Sequence, residues 1–148
     1  MSGENSDMRE IKELFEKRIF AVLATGGEQG PYTSLIGFAF TDDLRVLVFF
    51  TSRETRKFRN LSGYPLVSLL VSGASNRTSD FFSASAVTVT GEAFQPEGKE
   101  KERFLELYVR RFPFLNDIAG KGASVLIGVK VKELVHVSGI GDARRVKP

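Results

Sequence analysis

The chain has 148 residues, of which 42% are hydrophobic and 26% are charged, a composition typical of a globular domain and not of a disordered or membrane-spanning chain. The net charge of +3 comes with acidic residues interspersed among the basic ones, so a dedicated nucleic-acid role is not favoured. Cysteine is absent, which excludes disulfides, a thiolate nucleophile and zinc–thiolate ligation and agrees with a cytoplasmic location. No apolar run reaches the ~20 residues of a membrane helix, and the polar N-terminus has no signal-peptide pattern.

Three segments have the periodicity of helices. Asp7 and Glu10 form an N-terminal capping pattern, and the apolar residues after them recur on one helical face over about three turns. A short basic helix follows Thr51 and ends near Gly63. A third, amphipathic helix ends near Pro113.

Six further segments have the alternation or the continuous apolar character of strands and are bounded by turn residues. They are residues 19–25, 31–40, 45–50, 66–71, 83–94 and 124–137. Short turns join most of them, and no glycine-rich nucleotide fingerprint occurs, so the sequence predicts a mainly β (α+β) fold, a small antiparallel barrel with flanking helices. We expect one domain over residues 1–148, with residues 1–6 disordered and 139–148 forming a basic tail.

The most informative segment is the junction between the third predicted strand and the basic helix. Thr51 and Glu54 form a capping signature, which predicts a turn from strand to helix with unpaired backbone N–H groups. Such a turn favours anions. Cations follow it closely, and three of them would share one helical face, namely Arg53, Arg56 and Lys57, with Arg59 nearby. We interpret the segment as a phosphate-binding site; the alternative is a solvated basic surface.

The rest of the sequence contains no self-sufficient acid–base set. His136 is the only histidine and has no evident triad or metal partner in the sequence, so an edge or interface position is the simpler interpretation. The glutamates between Glu97 and Glu106 lie beside lysines and arginines, as is typical of solvated pairs. An enzyme with this sequence therefore needs a cofactor that carries the reactive centre.

The segment Ile19–Val137 resembles the FMN-binding split-barrel family that includes pyridoxamine 5′-phosphate oxidase. In that family a strand ends in an aromatic–threonine pair, a serine–arginine–lysine run leads into a helix, and asparagine–proline precedes the next strand. This chain has Phe50-Thr51, Thr55-Arg56-Lys57 and Tyr64-Pro65 in those places. The resemblance implies an antiparallel six-stranded split β-barrel with FMN as the cofactor.

The resemblance also implies the binding residues. Thr51, Arg56 and Lys57 would hold the FMN phosphate, with Phe50 and Ser52 beside them. The residues that would line the isoalloxazine ring are Ser34, Leu35, Ile36 and Gly37. Family members are homodimers with FMN at the subunit interface, so the same assembly is expected here, with a small-molecule substrate, no metal and no assigned catalytic residue. Arg53 and Arg59 are then ordinary surface charge.

The chain differs from the oxidase itself on the substrate side. Ser34 and Ala39 stand where the oxidase pattern has arginine and lysine, and Ala86 stands in place of its glutamine. The C-terminal tryptophan and the substrate-binding arginine motif are not recognisable. The leading hypothesis is therefore an FMN-dependent oxidoreductase that acts on a different, unidentified small molecule.

Two alternatives stay open. The stretch around Pro31-Tyr32 and the run Gly139-Ile140-Gly141-Asp142-Ala143 resemble the haem-utilisation branch of the same superfamily, which usually lacks the Arg56-Lys57 pair. A non-enzymatic haem- or flavin-binding protein is the first alternative, with a haem role for His136 as a minor variant. A deazaflavin-dependent reductase on the same barrel is the second.

Overall fold

A computed structural model describes residues 3–115, 124–139 and 141–148. Its α-helices are α1 (Gly3–Lys17), α2 (Arg56–Gly63) and α3 (Gly98–Arg111). Its strands are β1 (Phe20–Thr25), β2 (Tyr32–Gly37), β3 (Ala39–Phe40), β4 (Val46–Ser52), β5 (Leu66–Ser72), β6 (Ser85–Phe94), β7 (Ser124–Ser138) and β8 (Ala143–Val146). Short 3₁₀ turns occur at Thr78–Asp80 and Pro113–Leu115. No helix in these ranges combines the length and the apolar character that a bilayer crossing needs.

All strand pairs are antiparallel, and the sheet follows the order β2-β1-β5-β6-β7-β4-β3, with β8 added to β7. Because β2 and β3 are consecutive and separated only by Phe38, the two ends of this path meet in the chain and the sheet curls into a half-barrel. The predicted split-barrel fold is confirmed.

The barrel interior is filled by one apolar cluster. Ile11 and Phe15 of α1 are fully buried in it, so the N-terminal helix contributes its apolar face to the main core, as its periodicity predicts. Phe15 packs edge-on against Phe38, with ring centroids 5.5 Å apart. A second cluster lies between α3 and the outer side of β4 and β7, where Phe104 and Tyr108 contact Leu126 and its neighbours.

The strand count differs from the prediction of six. The predicted strand 31–40 is interrupted at Phe38, whose N–H donates to the carbonyl of Ile19 at 3.2 Å. Residues 139–148, expected to be a tail, contain β8, in which Val146 pairs with Leu134 and is 2% exposed. The sequence did not predict this strand, because only one of its side chains enters the core and the residues beside that side chain are basic.

The N-terminal expectation also needs correction. Residues 3–6 belong to α1, and Asp7 lies inside this helix instead of capping it. The Asp7 side chain is nearly buried and faces Arg144 of β8, a long-range contact that a local capping pattern cannot reveal. Residues 1 and 2 of the expected disordered segment, and Ile140 of the glycine motif, lie outside the described residues.

Candidate functional site

The turn between β4 and α2 is built by three hydroxyl side chains. Thr55, not Thr51, is the N-cap of α2: its Oγ1 accepts a hydrogen bond from the N–H of Phe58 at 3.3 Å. The same hydroxyl donates to the carbonyl of Ser52 at 2.8 Å, and it lies 2.9 Å from Thr51 Oγ1. The capping role predicted for Thr51 and Glu54 is therefore wrong, since the cap lies four residues after Thr51. The sequence analysis did not assign this role to Thr55.

This network decides which hydroxyl protons are available to a ligand. Thr55 Oγ1 lies 2.8 Å from the Ser52 carbonyl and 2.9 Å from Thr51 Oγ1, and Thr51 Oγ1 lies 3.5 Å from the same carbonyl, so the single proton of each threonine is used within the turn. Thr51 is also 6% exposed. Ser52 Oγ, by contrast, accepts from the N–H of Glu54 at 3.2 Å and keeps its own proton. Ser52 is thus the hydroxyl at this turn that can donate to an anion without rearrangement.

Helix α2 adds positive charge and backbone donors to the same turn. It begins with Arg56 and Lys57, and its first turn contains no acidic residue. The first N–H groups of a helix have no partner within it, and the helix dipole favours a negative group there. Both side chains are half-buried, which reduces the screening of their charge by water. The turn therefore has the donor set of a phosphate-binding site.

The structure separates the four cations of this segment. Arg56 and Arg59 line an open cleft of about 400 Å³ with the 27–29 loop, Asn60 and Tyr64. Arg53 precedes the helix and lines a different, smaller cleft with Phe50 and Lys101. The prediction that Arg53, Arg56 and Lys57 share one helical face is therefore wrong for Arg53.

An aromatic contact links α2 to β2, the strand predicted to lie beside a flavin ring. The guanidinium carbon of Arg56 lies 4.3 Å from the ring centroid of Tyr32, a cation–π geometry that fixes the side chain over this strand. Asn60 adds a second link, since its Nδ2 donates to Thr25 Oγ1 of β1 at 3.1 Å. Tyr32 and Asn60 were not among the predicted site residues, and no local sequence pattern marks either contact.

The four predicted ring-lining residues fall on two sides of β2. Ser34 and Ile36 point inward, and Ile36 is part of the core. Leu35 is 64% exposed on the outer side, and Gly37 has its carbonyl bonded to the hydroxyl of Tyr108 at 3.0 Å. The side chains of Leu35 and Ile36 therefore face opposite sides of β2.

One of these residues has an unused polar group. Ser34 Oγ is buried and has no hydrogen-bond partner among the described residues. Buried polar atoms are rarely left unpaired, because an unsatisfied group costs about 1–3 kcal/mol.

Phe50 does not join the phosphate-type donors. Its ring packs edge-on against Tyr108 of α3, with centroids 5.1 Å apart, on the side of β4 opposite to Thr51. Ser52, Arg56 and Lys57 thus follow one another along this turn, and Arg56 connects the turn to β2 through Tyr32.

A curled antiparallel sheet that forms a half-barrel defines the class of split-barrel proteins. The sequence profile of the family described as pyridoxamine 5′-phosphate oxidase matches residues 8–138. The chain therefore belongs to the pyridoxamine 5′-phosphate oxidase family. No curated protein sequence matches it.

Solved structures of several proteins share the fold. A haem-binding protein from Mycobacterium smegmatis superposes with a TM-score of 0.83 at 19% identity, over 99% of this chain and 59% of that protein. The haem storage protein HutZ from Vibrio cholerae superposes with a TM-score of 0.75 at 21% identity, over 88% of this chain and 93% of that protein. An FAD-binding protein from Mesorhizobium loti superposes with a TM-score of 0.67 at 16% identity, over 92% of this chain and 94% of that protein. The chain thus spans about three fifths of the mycobacterial protein, and at these identities the likeness is one of fold.

Proposed function

We propose that this protein binds FMN and acts as an oxidoreductase on a small molecule other than pyridoxamine 5′-phosphate. The observation that carries the proposal is the donor set at the end of β4, where the free proton of Ser52 meets the first turn of α2 with Arg56 and Lys57. A phosphate monoester carries the charge and the acceptor oxygens that such a set satisfies.

The chain's own residues have three tasks in this proposal. Arg56 and Lys57 neutralise the phosphate, the cation–π contact between Arg56 and Tyr32 holds the turn against β2, and β2 with Ser34 lies beside the ring. Bound FMN would supply the redox centre, since these side chains offer no hydride or electron carrier of their own. The M. loti relative, described as FAD-binding, supports a flavin on this fold.

The proposal includes a homodimer with FMN at the subunit interface. The outer face of β1, β2 and β5 exposes apolar side chains in register: Val22 pairs with Leu35 on one side and with Leu70 on the other. The exposed fractions are 36% for Val22, 64% for Leu35 and 41% for Leu70. A contiguous apolar patch of this kind is typical of an interface.

The second candidate is non-enzymatic haem binding, which the M. smegmatis protein and HutZ favour through their descriptions. The only histidine argues against an axial role on this chain. His136 is 4% exposed, and its Nδ1 lies between the carboxylates of Asp7 and Glu10, at 3.8 and 3.6 Å. It cannot reach a haem iron unless α1 moves away.

The cytoplasmic location stays a prediction.

The experiment is a titration of the full chain with FMN, followed by flavin fluorescence. The double variant Arg56→Gln/Lys57→Gln should weaken binding more than about a hundredfold, because each charge-assisted bond contributes roughly 1.5–3 kcal/mol. The control, Lys99→Gln/Arg110→Gln, removes the same charge from exposed positions of α3 and should bind FMN like the wild type.

Two results would overturn the proposal. One is FMN affinity that is equal in the wild type and the Arg56→Gln/Lys57→Gln variant. The other is a wild-type chain that ignores FMN but gives a Soret band with haem, which would favour the second candidate. If FMN binds, bleaching of the flavin by NADH or NADPH and its return on adding an acceptor would test the oxidoreductase part.

A further inference from the structure

A buried polar cluster joins α1 to β7 on a part of the barrel separate from the turn between β4 and α2. Asp7 and Glu10 lie three residues apart on α1 and therefore share a helical face. His136 of β7 faces them, with its Nδ1 3.8 Å from Asp7 Oδ1 and 3.6 Å from Glu10 Oε2. The side chains of His136 and Asp7 are 5% and 10% exposed.

Two atoms of this cluster are buried without a hydrogen bond among the described residues. They are His136 Nδ1 and Asp7 Oδ1. Each points to the same small space, since the three ligand-type atoms lie within 4.8 Å of one another. Asp7 Oδ1 has the guanidinium of Arg144 at 3.2 Å as an ionic partner, so His136 Nδ1 is the buried atom of the cluster that needs a partner. At 3.8 and 3.6 Å from the carboxylate oxygens of Asp7 and Glu10, it is too far away to form a normal hydrogen bond with either of them.

We propose that Asp7, Glu10 and His136 bind a divalent first-row transition-metal ion such as Zn²⁺. Ligands about 2.1 Å from a tetrahedral ion are ~3.4 Å apart. The two distances from His136 Nδ1, 3.6 and 3.8 Å, therefore need to shorten by a few tenths of an ångström, and the two carboxylate oxygens lie within 4.8 Å of each other. Two carboxylates with one imidazole suit Zn²⁺ or Mn²⁺ better than Ca²⁺, which takes six to eight oxygen ligands.

Arg144 of β8 competes for this site. Its Nη1 lies 3.2 Å from Asp7 Oδ1 and its Nη2 3.8 Å from Glu10 Oε2. Two carboxylates and one guanidinium leave the cluster one negative charge in excess when the imidazole is neutral. The Arg144 side chain is 42% exposed, so it can turn to solvent when an ion enters. The metal would then connect α1 directly to β7. Without the metal, Arg144 connects α1 to the sheet through β8.

The test is calorimetric titration of Zn²⁺ into the full chain after treatment with a chelator. We expect one ion per chain in the wild type. Asp7→Asn and His136→Gln should each lower the affinity by at least about tenfold, the minimum effect of disturbing a metal shell. The control Glu13→Gln removes an exposed carboxylate from the same helix and should leave the affinity unchanged. Arg144→Gln should raise it.

Glu10→Gln serves as the ligand variant if His136→Gln does not fold, because Glu10 is half exposed. Co²⁺ in place of Zn²⁺ adds an absorption spectrum that reports nitrogen ligation and should change in the His136→Gln protein. The proposal is overturned if the wild type takes up no Zn²⁺, whatever Arg144→Gln does, or if Zn²⁺ binds equally well after the loss of Asp7 and Glu10. FMN binding is measured separately, so failure of either proposal leaves the other standing.

Discussion

The hydroxyl oxygens of Thr51 and Thr55 lie 2.9 Å apart, so the end of β4 is hydrogen-bonded to the N-cap of the helix that follows it. Thr55→Ala should destabilise the protein by about 1–2 kcal/mol, because it removes the cap on Phe58 and the hydrogen bond between the two threonine hydroxyls. Urea unfolding measures this loss. Thr55→Ser keeps the hydroxyl and should recover most of it; equal losses in the two variants would contradict the capping role.

Arg111 closes the end of α1. Its Nη2 donates to the carbonyl of Phe15 at 2.7 Å and to that of Arg18, and the guanidinium lies 5.0 Å from the ring centroids of Phe38 and Phe40. Arg111→Met should cost at least about 2 kcal/mol, since it removes the charged donor of the Arg18 carbonyl and leaves the Phe15 carbonyl only the backbone N–H of Arg18 at 3.3 Å.

The matched control is Arg110→Met. Arg110 pairs only with Glu106 on the exposed side of α3, so its loss should change the free energy of unfolding by less than about 1 kcal/mol. Thermal unfolding of both variants is the measurement. A similar effect at both positions would mean that Arg111 contributes no more than an ordinary surface charge.

Tyr108 makes stability depend on alkaline pH. Burial raises the pKa of Tyr108 from 10.0 to about 12, while the charge of Arg111 opposes this. The folded protein therefore keeps the phenol proton in a range where the unfolded chain has lost it. This contribution is fully present below pH 10 and is lost as the pH rises from 10 towards 12, since folding then requires proton uptake.

Tyr108→Phe should flatten that part of the stability profile. At neutral pH it should cost about 1 kcal/mol, the contribution of the lost hydrogen bond to the carbonyl of Gly37. Unfolding midpoints in urea between pH 8 and pH 11 provide the comparison, with Tyr64→Phe as the control at an exposed position. An unchanged alkaline slope in Tyr108→Phe would contradict the assignment.

The apolar outer face predicts the oligomeric state. If a second copy covers Val22, Leu35 and Leu70, the substitution Leu35→Asp places a charge in the interface and should shift a dimer to a monomer in light scattering after gel filtration. Phe81→Asp is the control, because Phe81 is 71% exposed but lies outside these three strands. A wild-type monomer at high concentration, or a dimer that survives Leu35→Asp, would remove this part of the proposal.

Much of the fold follows from local periodicity. The alternation in β6 and β7 and the apolar face of α3 predicted those elements within a few residues. β6 and α3 each present one side to a core, and β7 does so in its second half, while its first half is buried on both sides. The strand β8 escaped prediction for the opposite reason: Val146 alone enters the core, between basic neighbours. Only its pairing with β7 makes the segment a strand.

The candidate site was predictable as a location and less so in its details. The change from an apolar strand to a basic helix marks the turn, and Arg56 and Lys57 are indeed the first two residues of α2. Which threonine caps the helix depends on where the strand ends, and β4 continues to Ser52, two residues beyond the predicted limit. The contacts with Tyr32, Asn60 and Arg144 join distant parts of the chain, so no local pattern contains them.

The pairing of β4 with β7 affects how a ligand would be received. The two strands are in register from Val46 opposite Lys130 to Ser52 opposite Ser124, so the backbone at the end of β4 is ordered before any anion arrives. The entropy lost on binding is then confined to long side chains such as those of Arg56 and Lys57, at about 0.5–1.5 kcal/mol each. Most of the binding free energy between the turn and an anion therefore appears as affinity, because the backbone of the site does not have to be ordered by the anion.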